Sequence, residues 1–329
     1  MKSVYSCILF LFLSTQIFAQ DWVQVASLPS VFNSTHHSFG FAIDDTGYLV
    51  SGGSAVGVRS DFYQYDAAMD EWTQLDDFPG DARAFAIGDT WDGKAYFGFG
   101  TNGNSPLNDL WVFDPADMSW TELASCPCAA RQHPAFIAQD GKVFVGMGNG
   151  IQGNMNDWWE YDIASDSWLE KPDLPSPPRH HPFQFGGIDE YIYTGFGHGN
   201  NFISNEWFRY DPATDEWEQM ADLPAEGRVA GTQFSYEGKG YVLSGDGDDH
   251  FSMETGEFWM FDPVLNTWES LPVHPGTSRW APSSFIIDGE VYLINGDTYL
   301  GNGNYAYVPE VYKFALEMDT RTNDFVELR

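Results

Sequence analysis

The segment KVFVGMGNGIQGNMNDWWEYDIASDSWLEKPDLPSPPR, Lys142 to Arg179, holds in one pass the pattern that decides the fold. An alternating apolar run ends in glycine (KVFVGMG) and gives way to a polar loop. An aromatic run closing on aspartate follows (NDWWEYD), then a run carrying tryptophan (DSWLEK), then a proline corner. Short runs of period two, bounded by Gly, Asn, Asp and Pro, read as β-strands.

The same order recurs along the chain. DEWTQL, MSWTEL, DSWLEK, DEWEQM and NTWESL place Trp72, Trp120, Trp168, Trp217 and Trp268 at spacings of 48, 48, 49 and 51 residues. Trp22, in DWVQVASLP, lies 50 residues before Trp72 and joins the series. A small apolar run opens each period (AFIAQ, SSFII) and turns at positions such as Asp140-Gly141 and Asp288-Gly289. Four short strands per period, with no helical periodicity, predict a β-propeller. Near-paired glycines after the second strand, an aromatic-x-aromatic-Asp third strand and the following tryptophan resemble the kelch repeat of the galactose oxidase/kelch superfamily.

The resemblance implies an all-β, six-bladed kelch propeller with four antiparallel strands per blade and the N-terminal strand closing the last one. The repeats fall at 32–80, 81–128, 129–178, 179–226, 227–276 and 277–329, within a domain spanning 20–329. Two copies depart from the pattern: Thr35 stands where the others carry arginine, and Ala315 where they carry the third-strand Asp. The run Phe325 to Leu328 reads as a surplus fourth strand.

The chain opens MKSVYSCILFLFLSTQIFAQ, a lysine and a short apolar run ending at Ala19, which is the pattern of an export signal over residues 1–19. A secreted or periplasmic protein is expected, similar to exported bacterial members of the superfamily. No run is long enough for membrane insertion. The formal charge is −33, and removing the signal, which holds Lys2 and no acid, leaves −34. Such a balance excludes nucleic acid and anionic membrane surfaces as partners. The two cysteines outside the signal, Cys126 and Cys128, form either a local disulfide or two free thiols. A monomer is expected.

The second-to-third and fourth-to-first connections share one face and include every long loop, from GGSAVGVRS to GDTYLGNGNYAYVP. Function concentrates on such loops. Arg83, Arg131, Arg179, Arg228 and Arg279 occupy one repeated position on that face, and Asp61, Asp109, Asp157, Glu206, Glu257 and Glu310 open the third strands. A ring of arginine–carboxylate pairs tying blade to blade is the expectation. In animal kelch substrate adaptors arginines at this phase contact peptide, and the resemblance permits that role here.

Two residues past the arginine the series reads His37, Phe85, His133, His181, Ala230, Ala281. With His198, Asp246, Asp297, Trp280 and Tyr299, the three histidines are candidate ligand-binding residues at the central opening. They sit in repeats one, three and four, which argues against their reaching a common ion. Imidazole and carboxylate suit a transition metal, and the Asp246–His250 loop a calcium ion, but neither set is complete and no cofactor is expected. No nucleophile–base pair is evident. A protein or glycan recognition module is therefore expected. The alternative is a sugar-active enzyme similar to the N-acetylneuraminate epimerase (mutarotase) propellers or to a metal-dependent carbohydrate oxidase.

Overall fold

The computed structural model describes residues 21–30, 35–302 and 304–316. The signal segment and the Phe325–Leu328 run lie outside the described residues. Six antiparallel sheets follow one another around an axis, each with four main strands in meander order; five take them in sequence from one stretch of chain, and the sixth takes its outermost strand from the chain start. Innermost strands are Phe39–Ile43, Ile87–Trp91, Ala135–Gln139, Phe183–Phe185, Thr232–Tyr236 and Ser283–Ile287. Inner strands of adjacent blades pack against one another and surround a central cavity of about 470 Å³.

Blade 6 is closed by the chain start. Val23–Val25 pairs antiparallel with Val311–Ala315, registering Val23 with Lys313 and Val25 with Val311. The tryptophan series explains why this register holds. Outer-strand indole N–H groups reach back to a carbonyl of the preceding blade, Trp168 to Ala124 at 2.7 Å, Trp217 to Pro172 at 2.9 Å and Trp268 to Ala221 at 2.9 Å, with Trp120 the exception, its N–H buried without an acceptor. Trp22 does the same to Pro272 of blade 5 at 3.0 Å, and Trp72 of blade 1 reaches Ala26 at 3.4 Å. The N-terminal strand thus behaves as the fourth strand of blade 6 in both directions.

The repeated glycine after the second strand has a steric cause. Phe99, Met147, Phe196, Ser244 and Asn295 follow the strand at positive φ, Ser51 takes the same φ at a break in register within its strand, and a glycine follows every one. At Gly100 (φ 83°) a Cβ would stand 2.5 Å from the Ala84 carbonyl and 2.6 Å from the Ala86 nitrogen. The innermost strand crosses too closely for any side chain, so only glycine allows the turn.

A second close approach holds neighbouring blades together. The Phe285 ring of blade 6 covers Gly47 of blade 1, Phe39 covers Gly88 of blade 2, and Phe185 of blade 4 covers Gly240 of blade 5. A Cβ on Gly240 would fall 2.0 Å from the Phe185 ring, which is 3% exposed and cannot retreat. Gly240→Ala is expected to cost about 1–3 kcal/mol by overpacking. A thermal melt reads this as a fall of several degrees, and an unchanged midpoint would refute the packing argument.

Candidate functional site

The framework arginines are fully buried and carry two kinds of contact. Arg131 is representative. Its backbone N–H donates to Leu107 of blade 2 at 2.9 Å and its carbonyl accepts from Gly100 at 2.9 Å. Its guanidinium enters blade 3 and meets Asp157 in two bonds of 2.6 Å while donating to the Met147 carbonyl at 2.8 Å. Arg83 pairs with Asp109 in the same bidentate way, and Arg179 and Arg228 donate to Glu206 and Glu257. The blade-to-blade tie therefore runs through the arginine backbone, and the ion pair itself is internal to one blade.

Two members of the expected ring differ. Arg279 does not bond the Glu310 carboxylate; it donates to the main-chain carbonyls of Glu310 at 3.0 Å and Asn295 at 3.2 Å. Asp61 has no ring arginine, because Thr35 fills that place, and it accepts instead from Arg59 at 2.7 Å. Thr35 keeps the backbone link: its carbonyl accepts from Gly296 at 3.2 Å.

Beside Arg279 lies His274, 1% exposed, with Nε2 2.9 Å from the Ser244 hydroxyl. Burial, and then the Arg279 charge, push its pKa down to about 4. Between pH 6.5 and 4 the unfolded chain binds a proton that the folded one refuses, so stability falls as pH drops through that window. A shift of this size is worth up to about 3 kcal/mol. His274→Gln is expected to flatten the slope of stability against pH between 7 and 4.5. Equal slopes in urea unfolding would exclude this histidine as a cause.

At the axis the six residues of the histidine phase adopt one backbone state. His37, Phe85, His133, His181, Ala230 and Ala281 have φ of 52°, 60°, 54°, 51°, 51° and 49°. Their amides link around the opening: His37 N–H to Ala281, His133 to Phe85, His181 to His133 and Ala281 to Ala230, at 3.0, 3.0, 3.1 and 2.6 Å. Positive φ is uncommon for residues with a Cβ. Here it aims every side chain of the series at the axis.

The histidines are not separated, contrary to the expectation from their blade numbers. His37 and His181 come from opposite blades, yet their Nε2 atoms are 2.9 Å apart. The His133 and His181 ring centroids are 3.5 Å apart, and the trio's ligand nitrogens all lie within 4.8 Å of one another. They cap the loop-face end of the central cavity. They form a plug across the axis instead of a ring around an open mouth.

The plug belongs to a longer histidine chain that the sequence reading only partly anticipated. His36 Nδ1 is 2.7 Å from His37 Nδ1. His180 packs on His133, His181 and His198, and His198 on His250. Seven of the chain's eight histidines thus form one contiguous cluster. The signal that could have found it is the doublet: His36-His37 and His180-His181 stand at one phase in repeats one and four. Asn149 and Asn154, from the blade-3 loop, accept at His133 Nδ1 (3.0 Å) and His180 Nδ1 (2.8 Å). Burial lowers the pKa of His133 to about 3 and those of His36 and His180 to about 4, so these three are neutral at pH 7, whereas the Asp246 carboxylate raises that of His250 at the far end.

The remaining candidates surround the plug. The Trp280 ring lies 4.4 Å from His37 and 5.0 Å from His36. Asp246 is buried, 3.3 Å from His250 Nδ1, and the adjacent Asp297 has a pKa pushed up to about 7 by burial and then by Asp246. The Tyr299 ring packs at a tilt against Phe251 and Tyr305, with centroids 4.6 and 5.1 Å away. Beyond these, Val56, Ile151, Phe202, Phe251, Leu300 and Tyr305 stand exposed at the tips of the long loops of five blades. Cys126 and Cys128, in the connection from the fourth strand of blade 2 to the first of blade 3, form a disulfide and pack in the core between those blades.

Six four-stranded blades, glycine-limited second strands and buried arginines at the loop face define a kelch-type propeller. The model of the KLHDC2/KLHL20/DRC7 Kelch-repeats domain matches residues 20–183. The chain is a kelch-repeat β-propeller. No curated relative matches it.

Proposed function

We propose that this is an exported recognition protein that binds a basic protein segment through its long-loop face. Kelch propellers are protein-interaction modules as a class. The observation that carries the reading is the ring of exposed apolar tips, Val56, Ile151, Phe202, Phe251, Leu300 and Tyr305, set around a polar centre. Solvent-exposed apolar groups clustered on variable loops mark contact surfaces. Four framework arginines are buried in ion pairs and Arg279 is buried on main-chain carbonyls, so they do not reach a ligand. Asp248, Asp249 and Glu254 stand at the same rim, and the overall charge of −33 favours a cationic partner. The opening apolar run supports export.

Panning a displayed peptide library on the full protein tests this. Peptides combining Lys or Arg with an aromatic residue are expected to emerge. Phe251→Ala and Tyr305→Ala should each weaken them by about 10- to 100-fold, the effect of removing an interface anchor. One observation favours a carbohydrate instead, the Phe251–Tyr299–Tyr305 cluster of tilted rings, which offers faces to a sugar ring. Glycan-array binding with no selected peptide would replace the protein reading by that one.

A further inference from the structure

We propose that His37, His133 and His181 form a three-histidine site for a divalent transition-metal ion on the propeller axis, independent of whatever the loop face binds. The argument starts from protons. His133 Nδ1 faces the Asn149 side-chain oxygen at 3.0 Å, an acceptor, so the ring proton sits on Nδ1 and Nε2 is a bare lone pair. That Nε2 is shut off from solvent and has no hydrogen-bond partner. His36 and His37 share one proton across 2.7 Å between their Nδ1 atoms. Placing it on His37 leaves His37 Nε2 bare as well, facing His181 Nε2 at 2.9 Å.

A proton on His181 Nε2 satisfies that contact but strands His181 Nδ1, which is also buried without a partner. Either neutral tautomer leaves His133 Nε2 buried without a partner, and the one the Asn149 oxygen selects leaves it as a bare acceptor, at a cost of about 1–3 kcal/mol. A cation coordinated by the three Nε2 atoms removes that cost. It takes all three lone pairs at once, and the His181 proton moves to Nδ1, which stays without a partner whether or not the ion is bound.

The geometry suits such an ion. Metal–nitrogen bonds of about 2.0–2.1 Å separate neighbouring ligand atoms in a tetrahedral site by about 3.3 Å. The His37–His181 pair must open by a few tenths of an ångström, and the contacts to the third histidine, within 4.8 Å, close by up to about 1.5 Å through ring rotation. The trio converges from three different blades, each side chain aimed by the same positive-φ turn. Asn149 is a positioning residue: it holds the His133 ring and its tautomer, as outer partners of metal-bound histidine do. Three neutral imidazoles select zinc, copper, nickel or cobalt over calcium or magnesium. The fourth coordination position opens on the axial cavity of about 470 Å³, where water or a small oxygen ligand such as a carboxylate completes the set.

The test uses the full protein stripped with chelator and titrated with cobalt(II), then zinc(II). About one cobalt per chain is expected, with the visible bands of a nitrogen-rich four-coordinate ion, displaced by zinc and untouched by magnesium or calcium. The melting temperature should rise with zinc. His133→Gln and His181→Gln should weaken binding by at least roughly 100-fold, and Asn149→Ala by roughly 10-fold. His250→Gln, outside the trio, should bind as the parent does. If the parent takes up no stoichiometric cobalt, or His133→Gln retains parental affinity and spectrum, the site does not exist. Should the glutamine variants fail to fold, the parent titration decides alone.

Discussion

Asp157→Ala is expected to cost about 3–5 kcal/mol of stability, because it leaves the Arg131 guanidinium buried without a counter-ion. Arg131 is 0% exposed and Asp157 26%, and this asymmetry sets the order of effects. Arg131→Ala removes a charge whose partner can still draw on water, so its loss comes from vacated space and two carbonyls, Ala129 and Met147, left without a donor. It should fall at or below the lower end of that range. Glu310→Ala is the control. Arg279 uses the main chain of Glu310, which survives the substitution, and a change within about 1 kcal/mol follows. Urea unfolding of the three variants measures all of this. A loss under 1 kcal/mol for Asp157→Ala, or Glu310→Ala matching it, would mean that the ion pairs do not hold the blades.

Much of this framework was readable from phase alone. A repeat fixes which residues share a place, so the tryptophans, glycines, arginines and third-strand acids could be assigned before any coordinates. Phase does not fix which atoms meet. Arg279 turns to carbonyls, and nothing in the run YVPEVYKF announces that. Nor does phase give radius. His37, His133 and His181 share a ring position, but whether they line an opening or fill it depends on backbone φ and on their neighbours. The φ near 50° points all six side chains inward, and Ala230 and Ala281, the smallest of the series, occupy the positions between His181 and His37. That vacancy lets imidazoles from opposite blades cross the axis and touch.

Deleting Asp21 to Pro29 is expected to lower stability by more than about 5 kcal/mol, since nine residues join three blades. The deletion strips the Val23–Val25 strand from Val311–Ala315 and exposes that edge. It removes the Trp22 ring from Phe314, Phe258 and His274, at 5.1, 5.9 and 6.1 Å. It also removes Leu28, 4% exposed, and the Ala26 amide that donates to Asp70 of blade 1 at 2.8 Å. Truncating a buried Leu or Trp costs about 2–5 kcal/mol each, and here both go together with the ladder. Loss of the fourth strand also removes the outer link between blades 6 and 1, leaving the inner contacts such as Tyr65–Tyr292 and Ser283–Ser38 to hold them. Two further measurements separate failed closure from simple loss of burial. Trp22→Ala keeps the strand and should cost only about 3 kcal/mol. A synthetic peptide of residues 21–29, added in excess to the truncated protein, should bind the open edge and raise its melting temperature in proportion to the logarithm of its concentration. A truncated protein that melts with the parent and ignores the peptide would show that the ring is held shut elsewhere.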